Sequence, residues 1–268
     1  EPAGAVFREV GTGEVAEDFA ELLEEADGTQ GTTVAFGTWD QSGFPAVFVG
    51  GVAAQAAGDT VTVDAGGAVT AVSATGFSGQ ALEFVADSGA SPVDAGESAA
   101  LNVQWGRWAA GDYTLSVEGE ALGNTGAFPY AQSSNMTSES VLADLEISAR
   151  YSYSGGTGPQ MAGGGGEFSV DTLRFDVNFD AGTISGGELV LDKTSGGLWT
   201  ATQVSEGEVT LSQAFGMSLA GSDDFGAPIS GRINGAFVGA EAEGAAVVYA
   251  VGGSDSGNVS GAGVVTRP

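Results

Sequence analysis

The chain has 268 residues, 42% of them hydrophobic, enough for one large domain or two small ones and too apolar for a disordered segment. Its 35 acidic residues against 7 basic ones give a formal net charge of −28, so simple repulsion argues against duplex DNA, RNA or anionic lipid as partners. Cys and His are absent, which removes disulfides, thiol nucleophiles, thiolate metal sites and the Cys that lipid acylation needs; a lipid anchor is not expected.

The chain opens Glu1-Pro2-Ala3-Gly4-Ala5 without Met, the pattern left by a cleaved signal peptide, and the expected location is extracellular or the outer cell surface. Residues 1–30 read as an N-terminal arm and helix. The arm carries the apolar residues Ala5, Val6, Phe7 and Val10. Val15, Phe19, Leu22, Leu23 and Ala26 then recur on one helical stripe, with Gly28 as its stop. From Thr32 the pattern changes to short β-rich runs at 33–39, 46–52, 60–64, 68–74 and 81–86, read as a β-rich N-terminal subdomain over 31–98. Ala65-Gly66-Gly67 is a hairpin signal, and residues 88–97, with Gly89, Pro92 and Gly96, read as a linker.

A barrel domain is expected over 99–268. It starts with apolar runs at 101–108 and 112–118, followed by a long polar connection over 119–140. Within that connection Thr137 or Ser138 is placed to cap one helical turn. Further runs follow at 145–153, 167–179, 183–191, 198–204, 207–215, 229–238, 245–251 and 258–265. No apolar stretch reaches the roughly 18 residues a membrane-spanning helix needs. Many short strands with Gly-rich turns predict an all-β fold with one short N-terminal helix. The predicted architecture is an antiparallel up-and-down β-barrel of about eight strands preceded by a small β-rich region.

The run from Ile229 to Gly244, Ile-Ser-Gly-Arg-Ile-Asn-Gly-Ala-Phe-Val-Gly-Ala-Glu-Ala-Glu-Gly, resembles the closing hairpin of the transferrin-binding-protein-like β-barrel. Trp105-Gly106-Arg107-Trp108, Phe128-Pro129-Tyr130, Tyr151-Ser152-Tyr153 and Phe175-Asp176-Val177-Asn178-Phe179 resemble, in the same order, the barrel that follows some FecR domains. The resemblance covers residues 101–265. It implies a compact eight-stranded barrel filled by side chains, in a family of bacterial surface proteins. Residues 1–100 do not resemble the handle domains through which transferrin receptors contact host protein.

Asp176, Asn178 and Asp180 alternate as the oxygen ligands of a calcium loop do, which makes calcium the one candidate cofactor. Gly182 falls one position late for an EF-hand and Glu188 is thirteenth instead of twelfth. Phe175, Val177 and Phe179 alternate with them, so a strand with a polar outer face is the simpler reading. Asp223 and Asp224 form a comparable pair. Trp39, Trp105, Trp108 and Trp199 read as packing residues, with Trp105 and Trp108 on opposite faces of one strand. Arg107, Arg150, Arg174 and Arg232 read as ion-pair partners of nearby carboxylates. The four glycines from Gly163 to Gly166 read as a surface loop.

No Ser-His or Cys-His arrangement, nucleophile elbow or phosphate loop is present, and no enzymatic activity is expected. The first functional expectation is a self-assembling structural protein of a bacterial surface or matrix, with the arm at Ala5, Val6, Phe7 and Val10 added to a neighbour's sheet as a donor strand. The alternative is a monomeric surface binding protein for a host protein, a metal carrier or a small ligand.

Overall fold

The computed structural model describes residues 33–39, 47–52, 60–75, 81–117, 119–121, 127–133, 135–161, 166–204, 207–208, 214–253 and 257–268. In chain order the first strands are β1 (Thr33–Trp39), β2 (Val47–Val52), β3 (Thr60–Val63), β4 (Val69–Thr75) and β5 (Ala81–Ala86). They are followed by β6 (Val93–Ser98), β7 (Val103–Trp108), β8 (Tyr113–Val117), β9 (Glu120–Ala121) and β10 (Phe128–Ser133). A six-residue helix, α1 (Glu139–Asp144), precedes β11 (Ser148–Gly156), β12 (Gln160–Met161), β13 (Phe168–Asn178), β14 (Thr183–Lys193) and β15 (Leu198–Gln203). The chain ends with β16 (Gly207–Glu208), β17 (Ala214–Ser222), β18 (Pro228–Val238), β19 (Gly244–Gly253) and β20 (Gly257–Thr266).

Eight strands form the expected antiparallel barrel in the order β11-β13-β14-β15-β17-β18-β19-β20, and pairing of β11 with β20 closes it. Closure removes the unpaired edges an open sheet would expose. Glycines make the seam possible. A Cβ at Gly156 would fall 2.7 Å from the Gly263 Cα, and one at Gly263 would fall 2.9 Å from the Gly156 Cα, so larger residues would force the two strands apart.

The interior is solid. Tyr151 stacks on Phe175 at 5.4 Å, Phe175 meets Phe215 at 5.0 Å, and Phe215 meets Phe237 at 5.0 Å, forming an aromatic chain through the core. Leu173, Leu189, Leu191, Ile233, Val247 and Val251 fill the space around it. The outer wall over β11, β13 and β14 carries Arg150, Asp171, Arg174, Asp176 and Glu188, so these strands are apolar toward the core and polar on the outer face. Among the described residues no helix is long and apolar enough to cross a membrane.

Two five-stranded sheets stand outside the barrel, ordered β2-β1-β10-β7-β6 and β3-β4-β5-β8-β9. They share a small aromatic core in which Phe84 stacks on Phe128 at 4.5 Å, Tyr113 lies against both rings, and Trp108 donates its indole N–H to the Val69 carbonyl. The opposite face of the first sheet covers the barrel. Leu101, Val103, Ala131 and the half-buried Trp105 pack on Val238, Ala246, Val248, Ala250, Ala262 and Val264, which point outward from β18, β19 and β20. Trp105 and Trp108 therefore do face opposite ways, one toward the barrel wall and one into the small aromatic core.

The expected boundary at residues 98/99 falls inside the β6–β7 hairpin. Residues 103–133 contribute β7, β8, β9 and β10 to the outer sheets, and the barrel strands begin at Ser148. The physical reason is that β7 and β8 have the same apolar alternation as barrel strands, and pairing partners are not encoded in alternation. The segment read as a linker contains β6, an edge strand that among the described residues pairs only with β7; Asp94 at φ 53° and the bulge between Val93 and Gly96 interrupt its alternation, and Gly89, Pro92 and Gly96 give it the composition of a loop. The helix expected within residues 14–28, and Ala5, Val6, Phe7 and Val10 with it, lie outside the described residues. So does most of the Gly163–Gly166 loop.

Candidate binding rim

One end of the barrel is formed by the β14–β15 turn, the β17–β18 turn, the adjoining ends of β19 and β20, and residues 157–161 between β11 and β13. The β17–β18 turn is held by Asp223. Its buried carboxylate accepts the backbone N–H of Phe225 at 2.9 Å and of Ala227 at 2.8 Å, while its own N–H donates to the Ala227 carbonyl. An aspartate that captures amides two and four residues ahead replaces the hydrogen bonds a longer turn would leave open. Phe225 is thereby fixed at the apex and stands 86% exposed.

The neighbouring β14–β15 turn braces that apex. Glycines at positive φ, Gly196 (94°) and Gly197 (111°), let it fold tightly, with the Gly196 N–H on the Lys193 carbonyl. A Cβ at Gly197 would lie 2.5 Å from the Asp224 Cβ, so the two turns touch. Asp224 accepts the Trp199 indole N–H at 3.2 Å and lies 3.7 Å from the Lys193 ammonium. That ammonium also stands 5.9 Å from the Phe225 ring centroid, within cation–π range. Trp199 itself is buried against Phe168 as the inner floor of this rim. Leu198, on the outer side of the same turn, is 52% exposed, giving the rim two apolar side chains on a scaffold of buried polar contacts.

The other end is closed. Leu142 of α1 drops into the barrel core, the Tyr151 hydroxyl donates to the Ala242 carbonyl, and the Arg267 guanidinium donates to the carbonyls of Glu241 and Ala242. Ser138 is the N-cap of α1, as one of the two expected positions, its hydroxyl accepting the Val141 N–H.

Asp176 lies on the outer wall, where both carboxylate oxygens receive Arg150 at 2.8 Å, a two-point pair that holds its pKa below the ordinary carboxylate value. Asn178 accepts the Ala181 N–H and so shapes the β13–β14 turn, and Asp180 is exposed in that turn. The three are placed as strand and turn residues. Among the described residues no three acidic side chains converge as a metal site would require. Arg107 pairs with Asp94 and Gln160, and Arg174 with Glu188 at 2.5 Å; Arg232 is buried on the outward side of β18.

Phe225 carried no sequence signal beyond an aromatic residue inside an Asp-Asp-Phe-Gly turn. The Asp223 and Asp224 pair was legible as an oxygen-rich loop, and the structure shows one carboxylate shaping the turn and the other tying it to Trp199 and Lys193.

The chain matches no protein-family model, and no curated protein matches it. Among solved structures it is similar to transferrin-binding protein B. A single-site mutant from Haemophilus parasuis aligns at 10% identity and TM-score 0.43, over 91% of this chain and 46% of that one. A double mutant from the same organism aligns at 13% identity and TM-score 0.43, over 88% and 44%. The isotype 1 protein of serogroup B Neisseria meningitidis aligns at 14% identity and TM-score 0.40, over 89% and 44%. This chain spans less than half the length of those proteins. Likeness at this level carries nothing about a ligand or site residues, and the closed barrel stands on its own strand pairing. The FecR association expected from the sequence is not shown by these structures.

Proposed function

We propose that this chain is a non-enzymatic protein-binding module of a bacterial surface, which engages a folded, basic partner protein through the rim that carries Phe225. The observation that carries the reading is the 86% exposure of an aromatic side chain at the apex of a turn fixed by a buried aspartate. Holding the turn backbone so that a large apolar side chain stands in water brings no stability to the free protein, whereas an exposed aromatic on a backbone that is already ordered spares the cost of ordering that loop on docking, and aromatics are the usual centre of a binding hot spot. The filled barrel directs attention to its surface. A net charge of −28 favours encounter with a partner whose apolar pocket is rimmed by Lys and Arg.

The self-assembling reading rested on an arm that lies outside the described residues, and nothing in the described structure supports it. The test is a titration of the immobilised chain with a panel comprising a transferrin, in iron-loaded and iron-free forms, and two cationic proteins, lysozyme and cytochrome c. The expected result is saturable binding of one panel member that weakens at least about tenfold in Phe225→Ala, the loss of one hot-spot side chain. The melting temperature should stay unchanged, because Phe225 packs on little. Binding that is equal for wild type and Phe225→Ala, or that falls alike for every cationic protein as salt rises, would overturn the reading.

A further inference from the structure

Lys193 is the only lysine in the chain, every other basic residue being an arginine. It stands at the mouth of the barrel. It pairs in register with Phe168 across β13 and β14 and continues the inward series of Leu189 and Leu191, so its stem lies on the core side of the wall. Its ammonium is 3.7 Å from Asp224 Oδ2, and the two side chains are only 19% and 12% exposed. The surroundings are aromatic. Phe168 meets Trp199 edge-on at 5.2 Å, and the Trp199 indole N–H donates to Asp224 Oδ1 at 3.2 Å.

This pair differs from the arginine pairs of the outer wall. Arg150 with Asp176 and Arg174 with Glu188 are hydrogen-bonded at 2.8 and 2.5 Å on a wet face. Lys193 and Asp224 stand further apart than a hydrogen bond and are largely withdrawn from water. Burying two charges carries a desolvation cost that their attraction repays only where the hydrogen-bond geometry is good. A neutral link between the same groups carries no such cost. An arginine would make the better ion pair, but only a lysine amine can form an amide with the carboxyl group.

We propose that Lys193 and Asp224 condense into an intramolecular isopeptide bond that joins the end of β14 to the β17–β18 turn. In the step, the ammonium passes one proton to Asp224 Oδ2, leaving a neutral amine beside a neutral acid. The Nζ lone pair attacks the carboxyl carbon, and the displaced carbonyl electron pair collects on Oδ1, where the Trp199 N–H already stands to hold it. Nζ then gives a second proton to the Oδ2 hydroxyl, the carbon–Oδ2 bond breaks, and Oδ2 leaves as water. The products are one amide and one water, and no other reagent is consumed. The close contact of the two turns at Gly197 and Asp224 keeps the groups together. Partners held in this way reach effective concentrations of about 10⁵ M or more, which outweighs the water that opposes condensation. The link braces the base of the turn that carries Phe225, and it forms or fails to form whatever Phe225 binds.

The test holds the purified full chain folded at neutral pH until its mass is constant and then weighs it intact. The chain should be lighter than its sequence by one water. After unfolding, trypsin should leave it uncut at Lys193, because an acylated lysine is not a substrate. Chymotrypsin, which cuts at Trp199 between the two residues, should yield the Lys193 and Asp224 peptides joined in one ion. Lys193→Arg keeps the charge but cannot form the amide, and Asp224→Ala removes the carboxyl group; both should keep their full sequence mass. A wild-type chain of full sequence mass would overturn the proposal. So would a lost water with trypsin still cutting after Lys193, as a succinimide at an aspartate would give, or the same loss of water in Lys193→Arg.

Discussion

Buried phenols give this protein a pH response at the residue scale. Tyr249 is fully inside the barrel, and burial, with the Tyr153 phenol beside it, pushes its pKa well above the ordinary value; burial does the same to Tyr151 and Tyr130. A group whose folded pKa is raised contributes stability that is complete below the unfolded pKa, about 10 for Tyr, and that is lost as pH rises toward the folded one. Tyrosinate absorbance should therefore appear together with loss of the β circular-dichroism signal. Titration of these phenols near their ordinary pKa in the folded protein would contradict their burial. Asp176 acts in the opposite direction, with its depressed pKa losing a contribution only as pH falls below the usual carboxylate range, and its exposure keeps that contribution small. Gly221 tests backbone approach. A Cβ there would overlap the Thr200 carbonyl oxygen and lie 2.7 Å from the Ala201 Cα, neither of which can swing away. Gly221→Ala should lower stability by about 1–3 kcal/mol in denaturant unfolding.

At the scale of elements, α1 shows how a short helix can matter to a barrel. Its six residues cannot hold a helix by propensity, so the Ser138 cap and the burial of Leu142 must do it. Ser138→Ala should cost about 1 kcal/mol and Leu142→Ala about 2–4 kcal/mol by chemical unfolding. Near-equal losses would mean that α1 rests on the barrel end without plugging it. The cap was legible because a Ser followed by a short apolar run has few other uses. Strands β13, β14 and β15 were equally legible, since one wet face leaves a clean two-residue alternation. Strand β10 was not. Pro129 sits inside it, which reads as a break, yet the β1 ladder ends at Tyr130 and leaves the proline beyond the last paired position on that side. The lower half of β17 was hidden for a related reason, because Gly216 and Gly221 dilute its apolar pattern.

For the whole molecule, the sequence reading reached the closed eight-stranded barrel but not what lies against it. Strand β19, Gly-Ala-Ala-Val-Val-Tyr-Ala-Val-Gly-Gly, is buried on both faces, whereas the sequence reading placed residues 245–251 only as one more barrel strand. The covering partner, the sheet built from β1, β2, β6, β7 and β10, could not be read, because only tertiary contact joins strands far apart in sequence. The proposed binding rim was hidden for the same reason. Phe225 becomes a candidate only when its exposure is known. The most direct test of the central claim places p-benzoyl-phenylalanine at Phe225, and in a second variant at Ala181 in the turn at the opposite end, and irradiates each with the panel member that binds. Adducts should form from position 225 and be absent from position 181. Adducts from 181 alone, or equal yields from both, would contradict recognition through the rim.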